Sequence, residues 1–170
     1  MMEVCAYMKR ILCVFVAALM LAGLAACSAS PAADQINEQD TATVPQLISY
    51  AVYVPNDNAD GFHVITARGE TVSAETVLAE LKKQNVLPEA ISLNSFHLEN
   101  GLITMDWNQV FADLVCSMGT SGELMIVGSV VNTYLDAFQA ESVYFTVDGE
   151  ILESGHTIYD FALSFFSMDP

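Results

Sequence analysis

Basic residues are scarce in this chain of 170 residues, which has 5 Lys and Arg against 21 Asp and Glu and a formal net charge of −16. A surface of this charge repels phosphate, so nucleic acids and anionic lipid headgroups are excluded as electrostatic partners. The first 26 residues hold Lys9 and Arg10 but only one acid, Glu3, so the rest of the chain is more acidic still. If the protein sits on a membrane, something other than charge must hold it there.

Cysteine is scarce as well, since the chain has only Cys5, Cys13, Cys27 and Cys116. Three of the four lie in the first 27 residues, so a single thiol remains beyond that point and no internal disulfide can form there. Cys116 has apolar neighbours and no adjacent Lys, Arg or His that would stabilise a thiolate. We expect it to be a buried structural thiol and not a nucleophile.

Long apolar runs are also absent. A membrane-spanning helix needs about 20 apolar residues, and the run from Ile11 to Leu21 is shorter than that. It follows Lys9 and Arg10, and this order of a basic segment and a short apolar segment is typical of an export signal. Because Met8 directly precedes the basic pair, it is a second candidate start beside Met1.

The sequence Leu24-Ala25-Ala26-Cys27 follows the apolar run. It resembles the lipobox of bacterial lipoproteins, in which the cysteine becomes the new N-terminus and carries lipid. The resemblance implies a signal peptide over residues 1–26, lipidation of Cys27 and a lipid-anchored protein at the extracytoplasmic face of the cell membrane. More than one acyl chain is needed for stable anchoring, and lipoprotein acylation supplies it. A plain secretory signal is the alternative.

Two further segments are predicted after the leader. Residues 27–45 are mostly small and polar, with Ile36 and Val44 as the only large apolar side chains. Such a segment cannot bury enough apolar surface to fold, so it is expected to be a flexible tether. Residues 46–170 suffice for one small hydrophobic core but not for two domains.

The first part of this domain is predicted to contain a hairpin and a helix. Residues 46–54 and 62–66 are rich in β-branched and aromatic side chains, and they flank a cluster of turn-forming residues at 55–61. Ser73 then offers an N-cap to a helix that ends near Asn85.

A second hairpin can be predicted in register from Asn100-Gly101, which favours a two-residue type I′ turn. Counting outward places Glu99 opposite Leu102 and, at the far end, Asn94 opposite Trp107. Strand alternation then separates an apolar face from a polar face. The apolar face comprises Phe96, Leu98, Ile103, Met105 and Trp107. The polar face comprises Ser95, His97, Thr104 and Asp106.

A long helix and another strand complete the domain. Thr120 and Glu123 have the spacing of a capping box, and apolar residues recur at helical spacing from there to Phe138. Residues 142–147 alternate as a strand, and the apolar C-terminal tail is expected to pack back on the domain. The order β-β-α-β-β-α-β predicts an α/β fold, a two-layer sandwich in which a mixed β-sheet carries two helices on one face.

The long helix and the strand after it also resemble a known family. The helix contains Asn132-Thr133 and the strand ends in Asp148-Gly149. Together with Tyr53-Val54-Pro55 before an acidic turn, these residues resemble the GerMN domain found in spore-germination proteins and other envelope lipoproteins, over about residues 48–161. The resemblance implies a single non-enzymatic GerMN-like domain that acts in sporulation or spore germination, by binding an envelope protein partner or by self-assembly. The family-motif positions are Asn132, Thr133, Asp148 and Gly149.

The common catalytic motifs are missing from the sequence. It has no His-Glu-x-x-His, no Gly-x-Ser-x-Gly and no phosphate-binding glycine loop. A small hydrolase that acts on peptidoglycan or with a metal is the alternative function. That alternative requires His97, Asp106 and Asp148 to converge in one cleft.

The turn from Asn56 to Gly61 mimics the first half of a calcium loop. A complete loop needs a bidentate carboxylate at its twelfth position, and Ala67 stands there. We therefore expect a plain hairpin turn, and we assign the protein no catalytic residue, no metal ligand and no cofactor.

Overall fold

The computed structural model describes residues 47–167, which form six strands and three helices. The predicted signal peptide, the lipidation residue Cys27 and the tether all lie outside the described residues. The domain predicted over residues 46–170 is therefore described from Leu47 to Ser167.

The first elements are a hairpin and a helix, as predicted. Strands β1 (Ile48–Pro55) and β2 (Phe62–Gly69) pair antiparallel over their whole length. Helix α1 (Ala74–Lys83) follows, and Ser73 caps it because its Oγ accepts a hydrogen bond from the Thr76 amide at 3.3 Å. The Thr76 Oγ1 accepts in turn from the Ser73 amide at 2.9 Å, which completes a reciprocal cap.

The remaining elements build a four-stranded sheet with a helical crossover. In chain order they are β3 (Leu93–Glu99), β4 (Leu102–Trp107), α2 (Gln109–Ser117), α3 (Thr120–Phe138), β5 (Ser142–Val147) and β6 (Glu150–Ile151). The sheet order is β3-β4-β5-β6, with β4 and β5 parallel and the other two pairs antiparallel. Because parallel neighbours need a long connection, α2 and α3 together carry the chain from β4 to β5.

The predicted register of the β3–β4 hairpin is confirmed over five pairs, from Glu99 opposite Leu102 to Ser95 opposite Asp106. It is wrong at the last pair, because Leu93 and not Asn94 stands opposite Trp107. A bulge at Asn94 causes the shift. The extra residue turns its side chain toward neighbouring polar groups instead of continuing the alternation.

The α/β class and the mixed sheet are confirmed, and two details differ from the prediction. The β1–β2 hairpin forms a sheet of its own and does not join the larger one, and residues 47–167 contain three helices where two were predicted. The hairpin stays separate because β1 lies against α3, whose side chains hydrogen-bond to its free edge.

Helix α3 is central to the fold. Every residue from Met125 to Leu135 is buried, and the helix packs against β1, β5, α1 and α2. A helix that is buried on all sides belongs to the core. At Gly128 a Cβ atom would lie 2.8 Å from Phe62 Cζ and 3.3 Å from Phe166 Cγ, so the missing side chain lets both rings approach the helix backbone.

The predicted capping box at the start of α3 is wrong. The N-cap is Gly119, it makes no side-chain cap hydrogen bond, and Thr120 is already helical. Glu123 is only 3 % exposed, and its Oε1 accepts hydrogen bonds from the hydroxyls of Ser154 and Tyr159, each at 2.6 Å. The Glu123 carboxylate therefore bonds residues distant in sequence, although its spacing from Thr120 fitted a local capping box.

The C-terminal tail packs back on the domain, as predicted. Tyr159 and Leu163 are buried. The Leu163 backbone exchanges two hydrogen bonds with Val143 of β5, at 2.7 and 2.8 Å. The tail therefore adds a short antiparallel contact to the end of the parallel pair.

Candidate functional site

The motif residue Asn132 holds the C-terminal tail. Its side chain is fully buried. Its Nδ2 donates to the Phe166 carbonyl oxygen at 3.0 Å, and its Oδ1 accepts from the Phe166 amide at 2.8 Å. A carboxamide bonds a peptide group in this two-point manner because it carries one acceptor and two donors. Asn132 therefore acts on the fold, through a segment 34 residues away.

The neighbouring motif residue Thr133 holds strand β1. Its Oγ1 accepts a hydrogen bond from the Tyr53 amide at 3.0 Å, and one turn later Asp136 Oδ1 accepts from the Ala51 amide at 2.6 Å. These two amides point away from β2, so they would otherwise be an unpaired strand edge. The sequence pattern marked Thr133 but gave no sign of the role of Asp136.

Asp148-Gly149, the other motif pair, forms the two-residue turn between β5 and β6. Both residues have positive φ, 48° and 83°, and Val147 pairs with Glu150 across the turn. An Asp-Gly pair fits this geometry because both positions of a type I′ turn lie in the left-handed region. Asp106 of β4 stabilises the turn, since its Oδ1 accepts a hydrogen bond from the Gly149 amide at 2.8 Å.

Asp106 and Asp148 are brought together by Asn94, which sequence reasoning did not single out. The Asn94 Nδ2 lies 3.0 Å from Asp106 Oδ2 and 2.8 Å from Asp148 Oδ1. Partial burial would raise the pKa of Asp106, but hydrogen bonds from Thr146, Gly149 and Asn94 outweigh it and hold that pKa below its ordinary value. This carboxylate is an acceptor for the turn and stays ionised.

His97 does not belong to this cluster. It is exposed and lines a shallow depression of about 450 Å³ with Glu99, Asn100, Leu102 and Thr104, a set that contains neither Asp106 nor Asp148. The structure thus unites the two carboxylates of the hydrolase alternative and leaves out its histidine. Within residues 47–167 no three His, Cys, Asp or Glu side chains are grouped so that they could hold a metal ion.

The acidic turn between β1 and β2 is a hairpin turn. The Asn56 amide donates to the Gly61 carbonyl oxygen at 2.9 Å, and the Asn56 side chain bonds both the amide and the carboxylate of Asp60. Ala67, at the twelfth position of the supposed calcium loop, is buried and pairs with Tyr50 in the ladder.

Cys116 was expected to be buried, and this is wrong. The thiol is exposed, in the last turn of α2 beyond the residues that reach the core, and its Sγ lies 3.4 Å from the Glu153 carbonyl oxygen. In the part of the chain that the structure describes, no helix is both long and apolar enough to cross a membrane.

A buried polar contact that the sequence did not reveal joins the start of α3 to the C-terminal segment. It consists of Glu123 with the hydroxyls of Ser154 and Tyr159. Burial and the hydrogen bond to Glu123 raise the pKa of Tyr159 far above its ordinary value. The contact keeps the Tyr159 hydroxyl protonated as a donor.

The outer face of the four-stranded sheet is a polar surface. Along β4 and β5, buried residues alternate with half-buried or exposed ones, and the helices lie against the buried set. One row across the outer face runs His97, Thr104 and Tyr144, and the next runs Ser95, Asp106 and Thr146. The depression beside His97 and Thr104 lies on this face.

Comparison with known proteins gives the following matches. The chain is similar to the tandem GerMN domains of the sporulation protein GerM from Bacillus subtilis, with 17% identity, a TM-score of 0.46 and coverage of 74% of this chain and 49% of that chain. The chain thus spans about half the length of that structure. It is also similar to a putative lipoprotein from Clostridium perfringens, with 12% identity, a TM-score of 0.42 and coverage of 69% and 87%. No curated protein matches the chain.

A family match covers most of the domain. The profile of the family Germane, described as sporulation and spore germination, matches residues 36–153. That span includes β1 to β6 and all three helices, together with both motif pairs. The chain therefore belongs to the Germane family of sporulation and spore germination domains.

Proposed function

We propose that the protein is a lipid-anchored binding module at the extracytoplasmic face of the cell membrane, which acts in sporulation or spore germination. The match to the Germane family over residues 36–153 is the observation that carries this proposal. The sequence Leu24-Ala25-Ala26-Cys27 supports the anchor, with lipid on Cys27 holding the acidic domain outside the membrane. The partner is an envelope protein or another copy of this chain.

The side chains of the motif favour binding over catalysis. Asn132 and Thr133 are buried, and their side chains hydrogen-bond to backbone groups of this same domain. Asp148 and Gly149 shape a turn. These roles build a scaffold, and they leave the outer sheet face and the edge of β2 to meet a partner.

The intact mass of the membrane-extracted protein tests the anchor. We expect cleavage before Cys27 and an added mass equal to two or three acyl chains with their glycerol. Cys27→Ser should abolish both changes, whereas Cys116→Ser, which alters the exposed thiol of the domain, should leave both intact. An uncleaved, unacylated protein would refute the anchor.

A separate assay tests the absence of catalysis. Purified protein is incubated with peptidoglycan, with and without divalent metal ions, and soluble fragments are measured against a known hydrolase. We expect no release above buffer. Release that Asp106→Asn abolished would instead support the hydrolase, because Asp106 is one of the two carboxylates that its cleft requires.

A further inference from the structure

Among residues 47–167, the outer edge of β2 lacks the features that protect the other strand edges from pairing. The free edge of β1 is bonded by Thr133 and Asp136 of α3. The β3 edge carries the bulge at Asn94, and β6 has only two residues. Bulges, short strands and covering helices are the usual means by which proteins prevent edge pairing.

Strand β2 has none of these protections. It is eight residues long, contains no proline and pairs with β1 without a bulge. Val64 is 60% exposed and Ile65 is 37% exposed. Because Ala51 and Tyr53 turn their amides away from β2, their partners Thr66 and Val64 turn theirs away from β1. No hydrogen bond within residues 47–167 uses these two outward amides.

The charge on β2 is also unlike that of the rest of the domain. The strand has no acidic residue, and it contains Arg68. Lys82 and Lys83 both form ion pairs with glutamates, whereas Arg68 forms none within residues 47–167. The β2 edge therefore carries a positive charge that has no acidic partner within residues 47–167.

We propose that β2 pairs antiparallel with β2 of a second copy of this chain, about a two-fold axis at Val64. This register brings each Arg68 to the start of the other copy's β2, beside the exposed Asp60 of the β1–β2 turn, which lies two residues before that strand. It also makes the two Val64 residues a hydrogen-bonded pair that uses the outward amides. A two-fold pairing consumes both open edges and closes, so it yields a dimer and not a fibre.

Neighbouring registers are less favourable. A two-fold axis at Ile65 would bring Glu70 of one copy toward Asp60 of the other, an unfavourable like-charge contact just outside the two strands. An axis at Thr66 would place Arg68 opposite Val64 and leave its charge unmatched. Charge complementarity therefore selects Val64.

This inference deepens the proposed function and rests on it in one respect, since the interface is small and tethering at one membrane would raise its local concentration. The two can fail separately. A missing lipid mass refutes the anchor without touching the pairing, and an acylated protein that stays monomeric refutes only the pairing.

Sedimentation velocity is the first test, on the chain from Ser28 onward, which contains every described residue. Over roughly 10 µM to 1 mM, the range of weak pairing, we expect a monomer–dimer equilibrium without larger species. Val64→Pro removes an outward amide that the hairpin does not use and should abolish the dimer. Val64→Thr keeps that amide and should retain the dimer. A strict monomer, or open-ended aggregation, would overturn the proposal.

The charge pair is tested by exchange. Arg68→Asp and Asp60→Arg should each weaken dimerisation about tenfold, because two symmetry-related surface ion pairs, each modest, become repulsive. The double variant restores opposite charges across the axis and should recover most of the affinity. Additive losses in the double variant would exclude the Arg68–Asp60 contact.

Disulfide trapping tests the register in the membrane-bound full chain. In a Cys116→Ser background, Val64→Cys should form a dimer on mild oxidation, because residues on the axis have Cα atoms about 5.5 Å apart. Thr66→Cys is the matched control, because Thr66 is also exposed on the same strand, and this variant should stay monomeric. Trapping through Thr66 and not Val64 would refute the register.

Discussion

Replacing Asn132 by Asp tests whether the motif asparagine works as a two-point holder of the tail. The change is nearly isosteric, but an ionised carboxylate cannot donate to the Phe166 carbonyl oxygen, which lies 3.0 Å from Nδ2 in a fully buried setting. One hydrogen bond becomes a contact between two acceptors, and a charge is buried without a partner. We expect the free energy of unfolding to fall by about 3 kcal/mol at pH 7, which is about 10 °C in Tm for a domain of this size.

The cost should depend on pH with a definite sign. A protonated Asp has one donor and one acceptor, so it can reproduce both bonds of Asn132. Burial thus raises the folded-state pKa of the new carboxyl, by about two units if the cost is 3 kcal/mol. The loss of stability should be full at pH 7 and should shrink as the pH falls toward the unfolded-state value near 4.

Urea unfolding across this pH range measures the effect, and hydrogen exchange at the Phe166 amide locates it. Asn58→Asp is the matched control, because it adds the same charge to an already acidic chain at an exposed turn position. It should change stability by less than about 0.5 kcal/mol. If Asn132→Asp were as mild as Asn58→Asp, the assigned role of the asparagine would be wrong.

Three further predictions concern other polar contacts. Thr133→Val keeps the shape but removes the acceptor of the Tyr53 amide, so it should cost about 1–2 kcal/mol and speed exchange at that amide. Asp106→Asn should cost about 1 kcal/mol at pH 7 by weakening its hydrogen bonds; because the pKa of Asp106 is lowered by folding, the difference should disappear as the pH falls below about 4 in acid titrations followed by circular dichroism. Since folding raises the pKa of Tyr159, its contribution is present below about pH 10 and is lost as the pH rises further. Tyr159→Phe should therefore destabilise the domain at pH 7, by loss of its bond to Glu123, and flatten the decline in stability measured above pH 10.

Features set by neighbouring residues could be predicted from the sequence. Asn100-Gly101 fixed five pairs of the β3–β4 register because a two-residue turn determines which residues face each other. Ser73 was identified as a cap because its partner, Thr76, lies three residues away. In both places the geometry is local, so one short stretch of sequence contains all the information.

Features set by distant residues could not be predicted. The resemblance marked Thr133, but its partner amide lies 80 residues away, and no pattern within a helix reveals that partner. Glu123 failed as a capping residue because tertiary partners more than 30 residues away outweighed a favourable spacing. The bulge at Asn94 was missed because the strand gives no composition signal for it, and the Asn94 side chain bonds Asp106 of β4 and Asp148 of the β5–β6 turn, both distant in sequence.

The continuous burial of α3 has a consequence for how this domain tolerates change. An ordinary amphipathic helix accepts substitutions on its solvent-exposed face, so sequence variation along the helix rises and falls with each turn. From Met125 to Leu135 the helix has no solvent-exposed face. Accepted replacements in this stretch should show no such periodicity. Evolutionary drift in the domain is left to its turns, to the outward residues of its strands and to the exposed faces of α1 and α2.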